Sequence, residues 1–249
     1  MEISAILICI MLISLTAGVI HSAIGFGFGI VAITFLPLII DAKTSHIILS
    51  VSSVPMLLVA AWTYRHGAQR PPLLIAILGA CISTPLGLFF FEALSLDLLV
   101  RLTGAGVLLM VIPSLREKVE APKKDHVKPI AKCFAAGLIS GFLAGAVSIA
   151  GPPIAAFAIR QNWRTDQYKA FVTQFLLVIA TLKAVLLGLR NHINTEIGLE
   201  ICVTSVFSMI GVILGERISR NFEAEKSKKL VALALLSIAL IMLLRGSAS

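Results

Sequence analysis

Eight apolar runs make up most of this chain, at 3–40, 45–62, 71–96, 98–113, 130–159, 168–189, 196–215 and 229–244. A helix needs roughly 20 apolar residues to cross a bilayer core, so six of these runs read as one crossing each. A water-soluble core cannot hold them instead. The chain is 58% hydrophobic with a mean hydropathy of +0.98, and 249 residues enclose too little interior for so much apolar surface. The fold class is therefore all-α and polytopic.

Two runs do not fit a single crossing. Residues 3–40 are interrupted by Gly25-Phe26-Gly27-Phe28-Gly29, and residues 130–159 by Gly151-Pro152-Pro153. Glycine costs about 1 kcal/mol in a helix interior and proline about 3 kcal/mol, so such clusters stop a helix rather than bend it. The two broken runs open two related halves. Ala17-Gly18-Val19-Ile20 recurs as Ala136-Gly137-Leu138-Ile139, and Gly87 matches Gly215. Asp97-Leu98-Leu99-Val100-Arg101-Leu102 recurs as Glu225-Lys226-Ser227-Lys228-Lys229-Leu230 at the same spacing as the Gly87 pair. The expected units are a first repeat at 1–113, a linker at 114–130 and a second repeat at 131–249.

Charge gives the topology. If each broken run returns to the side it came from, the segments 63–70, 114–132, 160–169 and 216–229 share one side and hold sixteen of the 21 lysines and arginines. The other side keeps Lys43, Arg101, Arg190 and Arg245, while Lys183 lies within a span. If each broken run crosses once, the same residues split evenly. The positive-inside rule selects the first arrangement. It does not separate a re-entrant V from two full crossings, but the short second pieces favour the V. Three further crossings per half is an odd number, so the second half is inverted. Both termini are then expected outside and the 114–130 linker in the cytoplasm. Residues 3–20 follow Glu2 with no basic stretch before them, so this segment is expected to be retained rather than cleaved.

The breaks are the candidate site. Non-helical backbone at membrane depth is tolerated where it is buried in protein or lines a cavity. A short helix is expected to start near Gly29 and another at Pro152-Pro153, where a missing N–H is no loss. Helix starts offer unpaired N–H groups and the positive end of the dipole, which suits an anion. Gly25, Gly27, Gly29, Gly151, Pro152 and Pro153 are thus substrate-binding candidates, or else serve only close helix packing. His21 and its repeat partner Ser140 either line the pocket or bond a neighbouring carbonyl. Ser148 and Gln174 are further candidates for contact with an anion. Lys183 is the one cation well inside a span, and such a residue is a candidate for substrate attraction or coupling, unless it snorkels outward past Arg190. His66 and His192, partners in the repeat, read as interfacial.

Several classes are excluded. The formal charge of +8 is spread over short loops rather than gathered on one basic element, so no nucleic acid is expected as a partner. Cys9, Cys81, Cys133 and Cys202 form no CxxC and read as small apolar residues. The spans hold almost no carboxylates and no grouped His, Glu, Asp or Cys. Neither an enzyme, a metal site nor a cofactor is therefore expected. No Walker motif supplies ATP hydrolysis, so the partners expected are a small anionic solute and the bilayer. A homo-oligomer remains open, as does a non-transporting membrane scaffold or maturation subunit.

At these residues the chain resembles the sulfite exporter TauE/SafE family of membrane permeases. The resemblance rests on Ala17-Gly18, the glycine-rich stretch 25–29 with Pro37 downstream, Ala136-Gly137, Gly151-Pro152-Pro153, and Gly211 and Gly215 beside Arg217. It implies export of small anions, particularly sulfite, sulfoacetate and related organosulfur or carboxylate anions, across a cell inner membrane. Phe26 and Phe28 stand where that family often has consecutive glycines. An aromatic-lined pocket would favour an organic anion over a bare oxyanion.

Overall fold

The computed structural model describes residues 3–93 and 129–219 apart from positions 68, 162 and 194, with a few single positions beyond them. Among the described residues all regular structure is helical. The order is α1 (Ile3–Ile24), α2 (Phe28–Phe35), α3 (Ala42–Thr63), α4 (Arg70–Ala93), α5 (Pro129–Val147), α6 (Gly151–Ile159), α7 (Thr165–Leu189) and α8 (Gly198–Ser219). Single positions aside, the expected crossings at 98–113 and 229–244 and the second copy of the 97–102 repeat lie outside the described residues, as does the expected 114–130 linker up to 128, whereas Pro129 and Ile130 already belong to α5.

Among the described residues six helices are long and apolar enough to cross a membrane: α1, α3, α4, α5, α7 and α8. The two broken runs are each built unequally. Their first arms, α1 and α5, have 22 and 19 residues, whereas α2 and α6 have 8 and 9. At 1.5 Å per residue the short arms reach only about 12–14 Å, so the first arm of each run is a candidate span and the second is not.

Local chemistry accounts for the ends. Asp41 caps α3, its Oδ2 accepting from the Thr44 amide at 2.9 Å, which satisfies one of the free donors of a first turn. After α1 the chain passes through Gly25 at φ 90° and Gly27 at φ 116°, backbone that a Cβ would strain. The second break falls slightly earlier than its motif. It occupies Ser148, Ile149 and Ala150, with Ser148 at φ 58°. Gly151, Pro152 and Pro153 are already the first turn of α6, where proline lacks only a donor that the helix would leave unpaired.

Packing repeats one interface. α1 lies along α8, and α5 lies along α4. Both contacts depend on small residues that let backbones approach. A Cβ at Gly211 would sit 3.0 Å from Gly18 Cα, and one at Gly141 would sit 2.5 Å from Ala80 Cα. Ser83 Oγ adds a 2.6 Å bond to the Leu138 carbonyl. The first arms of the two broken runs, α1 and α5, thus pack on the two helices that carry Gly215 and Gly87. α3 and α7 pack together between these pairs.

Candidate functional site

The two breaks touch. A Cβ placed on Gly29 would lie 2.5 Å from the Ser148 carbonyl oxygen, and one placed on Gly151 would lie 2.8 Å from Phe26 Cβ. The start of each short helix thus rests on the opposite break, and only glycine fits at those two points. Beside this contact α3 and α7 enclose a cavity of about 70 Å³. A single water needs about 10–15 Å³ on such a measure, so the space admits a few atoms.

Six of the residues singled out from sequence line it: His21, Gly27, Gly29, Ser148, Gly151 and Lys183. The other four do not. Gly25 packs toward Tyr168 and Lys169, with a Cβ there 3.3 Å from the Tyr168 ring. Pro152 and Pro153 are buried in α6, and Gln174 is half-buried on α7 away from the cavity. Ser140 is buried on α5, also outside the lining, and its hydroxyl has no hydrogen-bond partner.

Lys183 turns inward instead of snorkelling. It is 3% exposed, and its ammonium donates to Ser148 Oγ at 2.6 Å. Its Nζ also stands 5.7 Å from the centroid of the Phe91 ring, a cation–π distance. Among the described residues no carboxylate pairs with it. His21, 1% exposed, presents an Nε2 with no hydrogen-bond partner. Ser50 and Ser53 of α3 add hydroxyls to the lining, and the rest of the wall is apolar, including Leu49, Met56, Leu57, Leu176 and Ile179, with both Phe26 and Phe28.

Sequence reasoning missed His46 and Ser50. His46 Nδ1 lies 3.0 Å from Ser148 Oγ, and Ser50 Oγ lies 3.3 Å from it. One helical turn separates them on α3, so a histidine and a serine at i and i+4, on one face of a helix whose first half is rich in serine, was the available signal.

Two further clusters sit at helix ends. Glu216 on α8 is bonded by Tyr64, with Lys169 Nζ 3.2 Å from the Tyr64 hydroxyl and 3.9 Å from Glu216 Oε2. Ser22 and Arg217 line a second cavity of about 250 Å³ with Tyr64 and Glu216. At another place Glu92 on α4 is bonded by Arg190 and, at 2.9 Å, by Nε2 of His192. His192 is thus an ion-pair partner, whereas His66 is exposed.

A buried cation at a cavity walled by two helix starts is what an intramembrane anion site requires: donors, positive potential and little water. No curated protein and no solved structure matches the chain. One family model does, that of the sulfite exporter TauE/SafE permeases, and it spans residues 10–242. Both broken runs, the cavity between them and all six candidate spans fall within or overlap that match, and the chain belongs to the sulfite exporter TauE/SafE family of membrane transporters.

Proposed function

We propose that this chain is a secondary transporter of small anions, and that the cavity beside Ser148 and Lys183 is where the anion binds. Lys183 carries the reading. An ammonium removed from water without a carboxylate partner is costly, and an anion in the cavity would supply the missing charge. His21 Nε2 and the amides at the start of α2 add donors. Pro152 and Pro153 lack N–H groups, so the start of α6 contributes mainly its dipole and the Gly151 backbone.

Two inverted repeats, with re-entrant runs reaching in from opposite faces, would place this site between two solvent-facing mouths. In that topology both termini lie outside and the 114–130 linker lies in the cytoplasm of a cell whose inner membrane holds the protein. Export of sulfite, sulfoacetate or related organosulfur and carboxylate anions fits. A potential negative inside drives anions outward by about 2.3 kcal/mol per charge per 100 mV. The apolar wall with Phe26 and Phe28 favours anions that carry a short organic tail.

Counterflow of radiolabelled sulfite, sulfoacetate, methanesulfonate and acetate in proteoliposomes tests the reading. Accumulation of at least one is expected. Absence of counterflow with all four would leave the non-transporting scaffold as the better account.

A further inference from the structure

Ser148 joins two nitrogens from different helices. The Lys183 ammonium donates to its Oγ, and His46 Nδ1 meets the same oxygen at 3.0 Å. Lys183 and His46 are 3% and 1% exposed, and the His46 ring lies 5.2 Å from the Phe91 ring that Lys183 also faces. Ser50 Oγ donates to the His46 carbonyl at 2.6 Å, so toward Ser148 it can only accept.

A hydroxyl has one proton and two lone pairs. With its proton on Ser50, Ser148 accepts from Lys183 and from an N–H at His46 Nδ1. With its proton turned to His46, Nδ1 must be a bare acceptor. At Nδ1 the first arrangement suits a neutral or a cationic imidazole and the second only a neutral one, while Nε2 is buried without a hydrogen-bond partner. Rotating one hydroxyl therefore lets the cluster hold a variable number of protons.

Among the described residues no carboxylate bonds this pair. α2 and the 36–38 turn, which pack on α3, carry no titratable side chain. α4 presents Phe91, and the neighbouring Glu92 is engaged with Arg190 and His192. α7 contributes Lys183, with Lys169 near its opposite end. α8 carries Glu216, engaged at the far end of α3 with Tyr64, and Glu200, which is bonded to neither member of the pair. His21 of α1 lines the adjoining cavity. Two positive charges two hydrogen bonds apart oppose one another, so an empty site disfavours the second proton. An anion in the cavity removes that penalty.

We propose that His46 and Lys183, bridged by Ser148, form a proton-binding pair that gains a proton when an anion enters the cavity, so that the coupled ion is H⁺. This rests on the anion reading of the cavity. The proton comes from solvent and completes an N–H bond on the pair, while the Ser148 hydroxyl turns from His46 to Ser50. By linkage, the anion then binds more tightly as pH falls through the range in which the pair fills.

The test titrates purified, detergent-solubilised protein with sodium methanesulfonate near neutral pH, in weak buffer with an indicator dye. Methanesulfonate takes up no proton itself in that range. About one proton absorbed per anion bound is expected, with affinity weakening up to about tenfold per pH unit above the filling range. His46→Gln keeps an amide for Ser148 but cannot titrate, and should bind with no proton uptake and with an affinity independent of pH. Ser50→Ala, which removes the alternative acceptor, should also suppress uptake and stands in if the glutamine variant does not fold. Binding without proton uptake in the wild-type protein overturns the coupling while the anion site stands. Full uptake in His46→Gln, or in Ser50→Ala where it stands in, overturns the assignment to this pair. If methanesulfonate does not bind, acetate, which is also unprotonated near neutral pH, takes its place in the same titration. Binding of neither overturns this inference, and the anion site falls with it only if sulfite and sulfoacetate also fail in counterflow.

Discussion

At the first break the chain turns on glycines 25 and 27, whereas at the second a serine, Ser148, takes up a left-handed backbone itself. The first break therefore contributes backbone and lets Phe26 fill the space against Gly151. The second contributes a hydroxyl that Lys183, His46 and Ser50 all reach. Left-handed backbone costs a non-glycine residue of order 1–3 kcal/mol, and here that cost coincides with the most connected side chain of the site. The two breaks thus differ in what they bring to the cavity. One shapes the cavity and the other furnishes its chemistry.

The comparison is open to attack at several points. Lys183→Met should have the largest effect. Losing a charged hydrogen bond of about 1.5–3 kcal/mol lowers the rate roughly 10- to 150-fold, read as initial counterflow; a change under twofold would remove the second break's chemistry from transport. Gly151→Ala comes next, because its Cβ would meet Phe26 carbons at 2.8 Å. Overpacking of about 1–3 kcal/mol is expected, seen as a lower thermal midpoint in detergent. Phe26→Ala in the same chain should recover part of it by removing the ring atoms.

Gly27→Ala should cost about 1–2 kcal/mol from its left-handed backbone. Shortening its neighbour with Ile20→Ala should not restore it, since the limit there is torsional and the nearest atom stands at 3.3 Å. Recovery would mean that the two breaks are constrained alike. Ser148→Gly should separate stability from function. Relief of the backbone offsets the lost bonds, so the midpoint should move by less than about 1 kcal/mol equivalent while counterflow falls several-fold. The smallest effect belongs to Glu92→Gln, whose partly exposed ion pairs are worth about 0–1 kcal/mol, with counterflow largely kept.

Much of the architecture was legible along the chain. Crossing helices follow from apolar length, and four of the expected crossings appear as α3, α4, α7 and α8 within a few residues of their runs. Both interruptions were visible because glycine and proline act locally on the backbone. The second was misplaced by a turn because proline is a helix starter as readily as a breaker, and a strained serine leaves no compositional mark. The cavity-lining candidates came out in part for the same reason. Those at the breaks were found through their backbone role, but Gln174 was chosen by polarity and depth alone, and these do not say which way a helix face points.

What the amino-acid order determined by itself was a set of one-dimensional properties: which stretches are apolar and long enough to cross, roughly where a helix is interrupted, and which ends carry positive charge. Each depends on neighbours a few residues apart. Only the tertiary structure decided that Gly29 meets Ser148 and Phe26 meets Gly151, that Lys183 bends inward, and that His46 joins it through one hydroxyl. Those contacts join residues up to 125 positions apart, and in lipid they depend on close packing of small side chains, which no local pattern encodes.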